Sequence, residues 1–254
     1  MSPEAESPAR DTDKDWREIG ESQPFWGVLT HPQFRQENLN AESLAAFYAS
    51  GVEYMEDLAG IFEKLTGTPF RAAAALDFGC GTGRLAEAMS AYADAVTGYD
   101  ISPGMLEAAR QHGAGRANYT GDLPEAMFDW INTYIVFQHI PTTRGYELLA
   151  ALLAKLAPRG YVSLHFTIYR DAVHRGEAPH GMRVSRARRL VRWLCRKLPK
   201  LAPKPPPPGT VMMFDYDLNR LCEMLNGAGI DRMLLVHEDH GGHHGVKIFG
   251  RKER

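Results

Sequence analysis

The chain predicts an α/β fold, a mostly parallel sheet with helices on both faces. Three observations carry that expectation. An apolar run at 72–76 feeds a turn with glycine at alternate positions, Gly79-Cys80-Gly81-Thr82-Gly83, after which Leu85-Ala86-Glu87-Ala88-Met89 reads as helix. The stretch 72–167 keeps alternating strand-like apolar runs with segments of helical period, the pattern that builds parallel sheets through helical crossovers. The strand-like run Val96-Thr97-Gly98-Tyr99 ends in an acid, Asp100.

With 254 residues, 44% of them apolar and 24% charged, the chain can bury one sizeable core. A formal net charge of −2, with no interleaving of aromatic and basic residues, argues against a nucleic-acid partner. No apolar stretch reaches membrane-span length. Residues 1–14 are polar, with Pro and Ser, and read as a disordered tail rather than a signal or transit peptide. Cys80, Cys195 and Cys222 lie far apart, without metal spacing or a disulfide framework, which points to a reducing, cytoplasmic location.

Residues 15–66 read as helical, with Leu44, Phe47, Tyr48, Met55, Leu58 and Phe62 at helix spacing and a break at Gly51. Ahead of them, Trp16 and Phe25-Trp26 place aromatics in a loop-like stretch. The region 15–70 is therefore expected as a helical segment that either packs on the core or closes over the site as a lid. The rest, 71–254, is expected as one domain. Its strands fall near 73–79, 95–100, 117–120, 129–137 and 160–167, with helices near 83–92, 103–112 and 143–156. Pro158-Arg159-Gly160 marks a turn before the fifth strand.

The pattern breaks over 168–213, read as an insertion after the fifth strand that ends in Pro205-Pro206-Pro207-Pro208, a stiff spacer. No acid occurs over 178–214, while Arg183, Arg186, Arg188, Arg189, Arg192, Arg196, Lys197, Lys200 and Lys204 are basic. Three readings stay open for 183–204: a solvated cap helix, a surface for an anionic acceptor, or peripheral membrane contact through Leu190, Trp193, Leu194 and Leu198. A helix at 216–227 and strands at 232–237 and 246–250 complete the chain.

The chemistry concentrates at the strand ends. A buried strand, a glycine turn and a helix form the layout of a nucleotide-binding first crossover. Arg84 stands where a dinucleotide fingerprint wants Gly or Ala, and Asp77 precedes the first glycine. A carboxylate there suits a ligand carrying an ammonium and a sulfonium better than a pyrophosphate, so the turn points to S-adenosylmethionine (SAM). Asp100 is placed to accept both hydroxyls of a ribose. Asp122, in Gly121-Asp122-Leu123, can reach an adenine amino group, with Leu123 and Ile101 sandwiching the ring.

Asp77-Phe78-Gly79-Cys80-Gly81-Thr82-Gly83, Asp100-Ile101-Ser102-Pro103-Gly104-Met105 and Gly121-Asp122 together resemble the class I SAM-dependent methyltransferases of the small-molecule type. The resemblance covers 72–167 and the last helix and strands. It implies a doubly wound, Rossmann-like, seven-stranded sheet whose last strand is antiparallel. It implies that Asp77, Gly79, Cys80, Gly81 and Gly83 hold the methionine end, Asp100 the ribose, and Asp122 with Leu123 the adenine, with Ile101, Met105 and Gln138 completing the cofactor set. It also makes the insertion a substrate cap. The fourth strand lacks the Asn/Asp-Pro-Pro-Tyr/Phe stretch the family uses on bases and amide nitrogens.

Gln138 and His139 follow the fourth strand, at the mouth of the expected crevice. His139 is the preferred general base, with a cap or backbone role as the alternative. Tyr134 is a weaker candidate. His165, on the fifth strand, faces either the acceptor or the core. His237, His240, His243 and His244, beside Glu238 and Asp239, read as a polar loop in preference to a metal site, and no metal is expected. The function expected is methyl transfer to a small acceptor, with O-methylation of a glycan or specialised metabolite placed first. N-methylation of a small amine is the second reading, and a non-catalytic SAM-binding sensor or partner subunit the third. The oligomeric state is not legible.

Overall fold

A computed structural model of the chain describes residues 11–171, 174 and 211–253. Seven strands form one sheet: β1 (Ala72–Phe78), β2 (Ala93–Tyr99), β3 (Asn118–Thr120), β4 (Phe128–Thr133), β5 (Leu156–Arg170), β6 (Met233–Asp239) and β7 (His243–Arg251). Their order is β3-β2-β1-β4-β5-β7-β6. β1 to β5 pair in parallel, and β7 runs antiparallel to both β5 and β6. The expected seven-stranded, mostly parallel sheet is therefore present, with the last strand reversed. The chain winds outward from β1 to β3, then returns to place β4 on the other side of β1. That reversal opens a crevice at the carboxyl ends of β1 and β4.

The helices are α1 (Thr12–Ser22), α2 (Pro24–Val28), α3 (Ala41–Thr66), α4 (Arg84–Met89), α5 (Pro103–His112), α6 (Thr142–Ala154) and α7 (Leu218–Gly227). One core cluster holds Leu76, Ile131, Leu149, Val162, Phe166 and Leu221. Another joins Met55, Leu58 and Phe62 of α3 to Ala75, Ala86 and Trp130. Both sheet faces are thus covered, as parallel strands rich in apolar residues require.

Several boundaries differ from the sequence reading. The loop-like aromatic stretch is helical, and α1 starts at Thr12, inside the segment 1–14 expected as tail. Asp11 caps it, its carboxylate accepting from the N–H groups of Asp13 and Lys14. Pro24 at the first position starts α2. Helix α3 runs unbroken through Gly51, where a Cβ would stand 2.3 Å from the Arg84 carbonyl oxygen. That glycine serves a close approach between helix backbones and does not break the helix.

The fourth strand stops at Thr133 instead of 137. Ile135 takes a positive φ of 58°, and Phe137–His139 form a 3-10 turn. Pro158-Arg159-Gly160 lies inside β5, where the register to β4 shifts and Arg159 adopts φ 63°. β5 also continues to Arg170, pairing with His243 and His244. Most of the expected histidine loop is consequently strand, and only His240-Gly241-Gly242 turns the chain. The tail 1–10 and the basic stretch 183–204, with Cys195 and the proline run, lie outside the described residues.

Candidate active site

One cavity occupies the carboxyl ends of β1, β2 and β4. Asp77, Gly79, Cys80, Gly81, Asp100, Ile101, Met105 and His139, all expected at the site, line it. Thr12, Asp13, Trp16 and Val28 from the N-terminal helices form its outer wall.

Asp77 is the best-buried acid of the cavity, 2% exposed. Its Oδ1 accepts from Asn132 Nδ2 at 2.8 Å. Asn132 Oδ1 accepts from the Ser163 hydroxyl at 2.7 Å, and that hydroxyl accepts from Trp130 Nε1–H at 2.9 Å. Three buried side chains thereby fix the orientation of the carboxylate. Its other oxygen, Oδ2, has no hydrogen-bond partner. Burial pushes the carboxyl up to about 6, against the opposing pull of Asn132 and Arg84. An ionised, half-satisfied carboxylate at this depth is costly until a cationic or donor ligand meets it.

Asp100 joins β2 to the glycine turn. Its Oδ2 accepts from Gly81 N–H and its Oδ1 from Ser102 N–H, both at 2.9 Å. Burial raises its pKa, and these two N–H groups oppose the rise. Each oxygen keeps a lone pair for a further donor. The turn itself needs glycine, since Gly79, Gly81 and Gly83 all have positive φ. A Cβ on Gly79 would lie 2.4 Å from Val136, and one on Gly81 2.6 Å from Val28. The Cys80 thiol is buried and pushed well above its ordinary pKa by desolvation, so it is inert wall.

His139 is held at both ring nitrogens. Nδ1 lies 3.0 Å from the Met212 carbonyl, which only accepts, so the proton sits on Nδ1. Nε2 then accepts from Gln138 Nε2–H at 3.0 Å. Gln138 is itself oriented by the Thr167 hydroxyl, which donates to its Oε1 at 2.8 Å. Burial lowers the imidazole to about 4, only partly offset by the Met212 contact. The ring is neutral at pH 7 and packs against Trp16, centroids 4.9 Å apart.

The remaining expected residues stand apart from the cavity. Gly83 caps α4, where a Cβ would lie 2.2 Å from the Tyr119 hydroxyl. Asp122 is exposed, its N–H donating to Thr120 Oγ1. Leu123 packs against the core, and Gln138 supports His139 without lining the cavity. His165 is fully buried, its ring 5.3 Å from that of Tyr134, which does line the cavity.

Sequence reasoning did not assign a role to Arg84, yet it is buried at the cavity with its Nε unpaired. An arginine opening a helix directly after the glycine turn was the available signal. Asn132 and Ser163 had none, because a polar residue inside an apolar strand reads as noise until its partner is known. The pair Asp13–Arg144, 2.6 Å apart, joins α1 to α6 at the cavity rim.

Sheet order, glycine turn and paired strand-end acids are those of the Rossmann-like fold that class I SAM-dependent methyltransferases share. Comparison with known proteins agrees: residues 76–164 match the methyltransferase domain family. A stretch of 100 residues is 32% identical to the mitochondrial ubiquinone biosynthesis O-methyltransferase of Schizosaccharomyces pombe, covering 35% of this chain and 36% of that protein. Another stretch of 100 residues is 37% identical to the ribosomal protein L11 methyltransferase of Burkholderia vietnamiensis, covering 38% and 33%. The matches thus span about a third of the length of these curated relatives. Among solved structures, the fold is similar to magnesium protoporphyrin IX methyltransferase of Synechocystis with bound SAH. That pair has a TM-score of 0.60 at 14% identity, covering 95% of this chain and all of that one. It is also similar to the N-methyltransferase NodS of Bradyrhizobium japonicum, with a TM-score of 0.56 at 13% identity, covering 96% and 100%.

Proposed function

We propose that the chain is an enzyme that transfers a methyl group from SAM to a small-molecule acceptor. The observation that carries this reading is the buried, unpaired Oδ2 of Asp77 in the same cavity as Asp100 and Arg84. A ligand with an ammonium, a carboxylate and a diol would satisfy all three groups, and SAM has each of them. Asp77 takes the ammonium and Arg84 the carboxylate. Asp100 takes the ribose hydroxyls, and Ile101 and Met105 give apolar wall. When bound, the cofactor supplies an activated sulfonium methyl. The protein's part is then to hold the acceptor in line and exclude water.

His139 holds the acceptor side. A hydroxyl that displaces Gln138 from Nε2 meets a neutral imidazole already oriented through Nδ1–H and the Met212 carbonyl, the arrangement a general base needs. O-methylation uses that base. A second reading, N-methylation, is favoured by the depressed pKa and engaged nitrogens of His139, since an amine acceptor needs no base during transfer. Related enzymes of both kinds support neither reading over the other.

His139→Ala separates the two. With a hydroxyl acceptor, kcat should fall by about 10²-fold or more while SAM affinity holds. With an amine acceptor, kcat should change by less than about tenfold. SAM binding without S-adenosylhomocysteine formation on any hydroxyl, amine or thiol acceptor would instead identify a sensor or partner subunit.

A further inference from the structure

Three side chains beyond the cavity converge without satisfying one another. His165 on β5, Glu238 on β6 and His240 in the β6–β7 turn bring one ligating atom each within 4.8 Å of the other two. His165 Nε2 lies 3.8 Å from Glu238 Oε2, and His240 Nε2 lies 3.4 Å from that same oxygen. Both nitrogens of His165 and Glu238 Oε2 are buried and have no hydrogen bond. A wholly buried imidazole with two unpaired nitrogens is costly and calls for a partner.

The fold makes room for this meeting. β7 lies between β5 and β6, so His165 and Glu238 are two strands apart. Gly245 of β7 pairs with Glu238. A Cβ on Gly245 would stand 2.4 Å from His165 Nε2. The missing side chain lets the imidazole lean across the strand towards the carboxylate. Lys247, beside His165 in the register, holds Glu238 Oε1 at 2.6 Å and leaves Oε2 for another ligand.

We propose that His165, Glu238 and His240 form a three-ligand site for a borderline divalent transition-metal ion, zinc by donor chemistry. Two imidazoles and a carboxylate are a recurrent zinc set, and a fourth position stays open for water or a ligand group. Tetrahedral coordination places ligand atoms about 3.3 Å apart. The two contacts to Glu238 Oε2 are near that spacing. Closing the third draws in His240, whose turn contains Gly241 and Gly242, both at positive φ. Tyr134 packs against both histidines and also lines the cavity, so the ion would sit across one ring from the acceptor side.

The test is calorimetric titration of the chelator-treated full chain with Zn²⁺, alongside the absorption spectrum with Co²⁺ as the probe. The expected result is one ion per chain, Co²⁺ bands of four-coordinate form, and affinity at least about 10-fold weaker in His240→Ala and in Glu238→Gln. The double substitution His237→Ala with His244→Ala, which touches neighbouring histidines outside the cluster, should leave binding unchanged. Circular dichroism of each variant confirms that it is folded. Absence of binding by the wild-type chain overturns the proposal. So does binding that survives His240→Ala but disappears in the His237/His244 variant. Neither readout involves SAM or turnover, so the outcome is independent of the proposed methyl transfer.

Discussion

At the scale of single residues, Asp77 decides the electrostatics of the cavity. Its carboxyl titrates near 6 because burial opposes ionisation. A ligand ammonium pairs only with the ionised form. Affinity for SAM should therefore be level above about pH 7 and fall as pH drops through 6, approaching tenfold per unit below that. The same raised pKa means that the ligand-free fold binds more protons than the unfolded chain between 3.8 and about 6. This contribution to stability is present at low pH and lost as pH rises through 6. His139, with its pKa near 4, adds no limb to a rate profile above pH 5. Calorimetry and kcat/KM across pH 5 to 8 check both statements. A single acidic limb near 6 is expected, absent in Asp77→Asn.

At the scale of elements, Gly51 sets how closely α3 approaches α4. Alanine is worth about 1 kcal/mol more than glycine inside a helix. Here its Cβ would meet the Arg84 carbonyl, a backbone atom that cannot swing aside. Overpacking of this kind costs roughly 1–3 kcal/mol and should win. Gly51→Ala should lower the melting temperature and, by shifting Arg84, weaken SAM binding. A rise in melting temperature would show that propensity outweighs the contact. This position also shows where sequence reading stops. Alternation of apolar runs made the sheet legible, and Asp77, Asp100 and the glycine turn were legible because their chemistry is local. Gly51 looked like a helix break because its reason lies on another helix. Asn132, Ser163 and the His165–Glu238 meeting were hidden alike, since each depends on a partner brought near by strand order.

At the scale of the whole molecule, the N-terminal helices close the crevice that the sheet opens. Trp16 packs on His139, Val28 covers Gly81, and Asp13 pairs with Arg144 across the rim. We infer that this segment acts as the lid. The Arg144 side chain is 45% exposed, so the pair is worth less than about 1 kcal/mol. That is enough for up to about a fivefold faster ligand release in Arg144→Ala, with little change in melting temperature. Stopped-flow displacement of bound cofactor measures it, and an unchanged release rate would count against a lid.

One cavity, organised by Asp77 and Asp100, is proposed to receive SAM. Titration of the wild-type chain and Asp100→Ala with SAM at pH 7.5 tests it directly. One site per chain is expected, with affinity lower by about 100-fold in the variant, the loss of two charge-assisted hydrogen bonds. No binding by the wild-type chain, or equal binding by the variant, would contradict it.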